Sequence, residues 1–106
     1  MSLSHAALSV SDQIVASCVG LLLTPDVYAD PDWHALVVAE MHDHLPQCDA
    51  THTFMGPLVR EIPRAWPKDG VVQSREMAFI PARRAWVQLQ KWRLGEALAR
   101  VRAVAA

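Results

Sequence analysis

The last quarter of the chain, Pro81 to Val104 (PARRAWVQLQKWRLGEALARVRAV), predicts one long helix, and a helix of that length constrains everything else 106 residues can build. Pro81 suits the start of a helix, where its missing N–H would be unpaired in any case. The residues after it are mostly good helix formers, with Gly95 as the exception. At about 100° per residue, Val87, Leu94, Ala97, Leu98, Val101 and Val104 share one side, with Trp86 at its margin. Ala82, Ala85, Leu89 and Trp92 form a second apolar strip along the first half. Two strips imply burial on two sides, or one strip offered to a partner. Arg84, Lys91 and Arg102 mark a third face, and Glu96 stands four residues before Arg100, a spacing that permits an ion pair. The apolar pattern does not persist over the ~3–4 heptads a coiled coil requires.

The earlier part of the chain supplies what this helix packs against. Met1 to Leu8 is weakly patterned and is expected to be mobile. Ser9-Val10-Ser11-Asp12 reads as a helix start, with Ser9 or Ser11 as cap and Asp12 favourable in the first turn. Gln13 to Leu23 is apolar nearly all round, the pattern of a deeply buried helix, and Thr24-Pro25 ends it. Asp26 to Asp30 reads as a loop. Asp30-Pro31-Asp32 then opens a second helix that runs to about Leu45, before Pro46. Its inward stripe is Trp33, Val37, Met41 and Leu45, with His34 and His44 on the same side; Ala35, Ala39, Glu40 and Asp43 point away. Gln47 to Thr53 is polar and loop-like. Gly56 to Ile62 predicts a short helix stopped before Pro63, and Trp66 to Gly70 is a strong turn signal. Val71 to Ile80 mixes strand and helix formers; helix is the better reading, with a break near Pro81. The expected architecture is a small single-domain all-α bundle of three main helices plus one or two short ones, with the long helix last.

Charge is divided sharply along the sequence. Met1 to Val59 holds no Lys or Arg and carries −7, whereas Arg60 onward carries +6, leaving a net −1. Such asymmetry points to a charged partner, unless acidic and basic faces meet within the fold or between subunits. The apolar run Ile14–Leu23 is shorter than the ~20 residues needed to cross a membrane. With two cysteines and no Cys-x-x-Cys, no disulfide framework is implied, and the expected setting is cytoplasmic.

Few residues suggest chemistry. No Gly-rich phosphate loop, nucleophile elbow or paired catalytic carboxylates occur. Cys18, among Ile14, Val15, Leu21 and Leu22, reads as an inert buried thiol. His42, His44, Cys48 and His52 place four residues of zinc-ligating type within eleven positions, although the spacing follows no usual zinc pattern. Histidines at a helix C-terminus also favour the dipole without a metal. Basic residues interleave with Trp66, Trp86 and Trp92, a composition used both by nucleic-acid surfaces and by protein hot spots.

By elimination, the sequence favours a non-catalytic protein-interaction domain (adaptor, accessory subunit or inhibitor) that needs no cofactor. The expected contact surface is Arg83, Arg84, Lys91 and Arg93, with Trp86 or Trp92 as an apolar anchor. A nucleic-acid-binding regulator is the first alternative, and a zinc protein or enzyme through the His/Cys cluster is the second. Homo-oligomerisation is compatible with the first reading.

Overall fold

The computed structural model describes residues 9–24, 30–67 and 75–105. Among them the chain is all helical: α1 (Val10–Leu22), α2 (Pro31–Asp43), α3 (Asp49–Arg64), α4 (Arg75–Ala78) and α5 (Ile80–Ala105). Residues 68–70 of the turn expected over Trp66 to Gly70, residues 71–74 and the segments 1–8 and 25–29 lie outside the described residues.

Local chemistry starts each helix. The Ser9 hydroxyl accepts from the Asp12 amide at 3.1 Å and donates to the Asp12 carboxylate at 2.9 Å, so cap and first-turn acid hold each other. Asp30 caps α2 by accepting from the Asp32 amide, and Pro31 follows in the first turn. The stripe expected for α2 is borne out: Met41 and Leu45 are buried with Trp33 and Val37 against them, while Ala35, Ala39, Glu40 and Asp43 are exposed.

Two expectations need correction. Residues 49–53 are not loop, and Pro63 does not stop a short helix. A single 16-residue helix, α3, runs through Pro57 and Pro63. Thr51, Met55, Leu58 and Ile62 all point into the core, a 3.6-residue rhythm whose burial outweighs the lost hydrogen bonds. Removing the Pro57 amide orphans the Thr53 carbonyl, but Thr53 is exposed, so solvent can serve that carbonyl. The polar look of 47–53 arises because Asp49, His52 and Thr53 face water while Thr51 turns inward and donates to the Pro46 carbonyl. Among the described residues the bundle therefore has four main helices and one short one, where three main ones were expected.

The second correction concerns α1, which is not buried all round. Asp12, Val15, Val19 and Leu22 face the core, whereas Val10, Ala16 and Leu21 are exposed. Among the described residues only one face of α1 is buried.

One turn of α4 leads to Phe79, a fully buried side chain at the junction where α5 begins. The Phe79 carbonyl accepts from the Arg83 amide at 2.9 Å, so the ladder of α5 starts there and Pro81 falls in its first turn. The break expected near Pro81 is present at Phe79. The core is one cluster in which Met55, Leu58 and Ile62 of α3 join Ala82 and Leu89 of α5 and Val15, Val19 and Leu22 of α1. At 26 residues α5 is about 39 Å long, longer than the bundle is wide. The molecule measures 58 × 24 × 20 Å. Residues 101–104 near the end of α5 are all exposed, Val104 at 89%. No helix among the described residues is long and apolar enough to cross a membrane.

Candidate functional site: the groove between α1 and α5

Of the two apolar strips on α5, the second is the one buried. Ala82 and Leu89 are fully enclosed, and Trp92 stacks on Phe54 of α3 with ring centroids 5.2 Å apart and planes 12° from parallel. The first strip is split: Ala97 is buried and Leu98 half-buried, while Val87 is 43% exposed, Leu94 41% and Val101 38%. Where this strip runs beside α1, it borders a groove of about 360 Å³. Val15 and Leu89, both buried, form its floor; Ala16, Trp86, Val87, Lys91 and Leu94 line it.

An ion pair closes one wall. Arg93 Nε donates to Asp12 Oδ1 at 2.6 Å, and Nη2 reaches Oδ2 at 3.4 Å. Both side chains are nearly sealed from solvent, 3% exposed for Asp12 and 11% for Arg93. The Arg93 guanidinium also lies 4.8 Å from the Trp92 ring centroid, a cation–π distance. Burial by itself pushes the Asp12 carboxyl up. Hydrogen bonds from Arg93 and Ser9, with the charges of Arg93 and Arg100, more than reverse that and hold it below the usual carboxylate value. Arg100 thus acts on Asp12; the Glu96–Arg100 ion pair expected from spacing does not form.

The expected partner-binding residues therefore divide. Arg83, Arg84 and Lys91 are exposed, and Trp86 is half-buried at the groove. Arg93 is committed to Asp12 and Trp92 to Phe54, so neither offers its face outward. Sequence reasoning missed the contribution of α1. Its signal was present in the two strips of α5, but nothing in their periodicity shows which one a neighbouring helix covers.

The four-residue metal set is not assembled. His42 and His52 approach, with ring centroids 6.1 Å apart, and border a hollow of about 280 Å³ together with Arg60. His44 instead meets Glu40 one turn back, Nε2 to Oε1 at 3.1 Å. Cys48 is exposed at the N-cap of α3, its sulfur 3.7 Å from the Thr51 hydroxyl. Backbone and side-chain hydrogen bonds from Thr51 lower its thiol below the ordinary value. Among the described residues no three His, Cys, Asp or Glu side chains converge as metal ligands. Cys18 is half-buried rather than fully enclosed, and burial pushes its thiol up, helped by the charge of Glu40.

Elsewhere in the core, His34 and Trp66 meet edge to face with centroids 5.6 Å apart. His34 Nε2 and Trp66 Nε1 are buried without a hydrogen-bonding partner among the described residues. Burial pushes the His34 imidazole below its ordinary pKa, favouring the neutral ring.

Comparison with protein families, curated proteins and solved structures finds no match to this chain.

Proposed function

We propose that this domain is a non-catalytic protein-interaction module whose α1–α5 groove receives an amphipathic helix from a partner. The observation that carries this is the outward apolar strip of α5, Val87, Leu94 and Val101, beside a groove with a sealed apolar floor. Helix-in-groove recognition reads such strips through side chains spaced three, four and seven residues apart, and Val87, Leu94 and Val101 repeat every seven. Trp86 at the rim offers the large aromatic surface typical of interface anchors. Arg84 and Lys91 run along the strip and favour acidic flanks on the incoming helix.

A nucleic-acid platform would draw on the same cations, but it also needs free aromatic faces for stacking. Two of the expected tryptophans are used internally, Trp92 on Phe54 and Trp66 on His34.

The test is NMR titration of the labelled protein with a synthetic helical peptide, leucines on one face and glutamates beside them. Expected are shifts at Ala16, the Trp86 indole, Val87 and Leu94, abolished by Leu94→Glu. Shifts absent, or indifferent to Leu94→Glu, would remove the groove as a docking site.

A further inference from the structure

Among the described residues the charge division along the sequence is barely consumed by ion pairs. Among the described residues, Asp12–Arg93 is the one ion pair that joins the acidic half to the basic half. The others are local: Glu40 with His44, and Glu61 with Arg60 and Arg64. Acid on α2 and base on α5 consequently stay at the surface, on a molecule of net charge −1. A near-neutral protein with separated faces of opposite sign tends to associate with itself.

The outer face of α2 has the chemistry the groove calls for. Asp32, Leu36, Glu40 and Asp43 succeed one another at intervals of four, four and three, which places them on one side of the helix. All four are exposed, Leu36 at 71%. Ala35 and Ala39 beside it are small and exposed, so a second helix can approach closely. The result is a single leucine knob set between carboxylates. On α5, the matching surface is an apolar strip bordered by Arg84, Lys91 and Arg102, all exposed.

We infer that the natural occupant of the α1–α5 groove is a second copy of this chain, presenting the outer face of α2 with Leu36 in the groove. This rests on the groove being a docking surface, as proposed above. Leu36 sits against Val87 and Leu94, while Asp32, Glu40 and Asp43 face the cations of α5. Donor and acceptor surfaces belong to different helices, so the contact is heterologous: each copy carries one of each, and assembly continues until a ring closes or an end is blocked. One knob in a groove of this size makes a weak, concentration-dependent contact. Its charge pairs lie at the rim, so salt weakens it.

Sedimentation velocity over a wide concentration range tests this in three proteins: the natural chain, Leu36→Lys and Leu94→Glu. Leu36→Lys spoils the knob and leaves the groove intact; Leu94→Glu does the reverse. Both positions are exposed, so folding, checked by circular dichroism, is retained. The natural chain is expected to associate, more strongly at low salt, and each variant at least about tenfold more weakly, a loss of about 1.4 kcal/mol. Mixing the two variants joins an intact knob to an intact groove and restores a 1:1 dimer. The inference is overturned if the natural chain stays monomeric at every concentration, if either variant associates as the natural chain does, or if the mixture forms no dimer. The glutamate-flanked peptide separates the two levels. A monomeric chain that still binds the peptide through Leu94 loses the self-docking inference and keeps the groove.

Discussion

Against α3, helix α5 is closed by packing: Ala82 and Leu89 share one buried cluster with Met55, Leu58 and Ile62, and Trp92 stacks on Phe54. Against α1, the same helix is held by Asp12–Arg93 and leaves a groove beside it. The first flank excludes water by shape, and its energy scales with the apolar area removed from solvent. The second fixes the distance and rotation of α1 through a two-pronged ion pair, yet leaves Val87 and Leu94 uncovered. Among the described residues α5 thus has one close-packed flank and one open one, and the open one is the strip proposed above to receive a partner.

The sharpest way to break this contrast is to remove one end of the ion pair. Asp12→Ala strands a nearly buried guanidinium and is expected to cost about 3–5 kcal/mol in chemical denaturation. Replacing both members, Asp12→Leu with Arg93→Met, removes the uncompensated charge and is expected to recover most of that loss. If the single and double variants were equally unstable, the pair would not be what holds α1 to α5.

A pair of leucines on α5 compares the flanks directly. Leu89 is fully buried and Leu94 is 41% exposed. Leu89→Ala should cost about 2–5 kcal/mol by leaving a cavity, and Leu94→Ala at most about 1 kcal/mol. Equal losses at the two positions would mean that the outward strip is already covered.

Much of the fold is legible in the sequence. Asp30-Pro31-Asp32 announces α2, and its stripe of Trp33, Val37, Met41 and Leu45 follows from periodicity alone, because the helix has one wet side and one dry side. The start of α3 was hidden because its first turn shows mostly polar side chains to solvent, and Pro57 and Pro63 look like stops until the burial of Met55, Leu58 and Ile62 is known. The apolar run of α1 overstated its burial, since periodicity reports what a helix is able to bury and not how many neighbours it meets. The site was half legible for the same reason. Arg84, Lys91 and Trp86 stand out from the sequence as candidates and lie exposed or half-buried on α5, while the pairing of Arg93 with Asp12 spans 81 residues and leaves no local signal.

Acid titration gives the mildest comparison and places two groups in separate windows. Burial lowers the His34 pKa from its ordinary 6.5, so below that pH the unfolded chain binds a proton that the folded one refuses. Stability therefore falls as pH drops below about 6.5 toward the lower folded value, through the packed His34–Trp66 contact between α2 and the end of α3. Asp12 is depressed from 3.8, and its contribution is complete above that value and lost as pH falls through the folded pKa. Thermal melts followed across pH are expected to show both declines. His34→Leu should flatten the upper one and leave the lower; Asp12→Leu with Arg93→Met should do the opposite. A double variant that kept the lower decline would show that acid acts there on some other carboxylate, and the α1–α5 flank would then owe its position to Val15 and Leu89 and not to the charge pair above them.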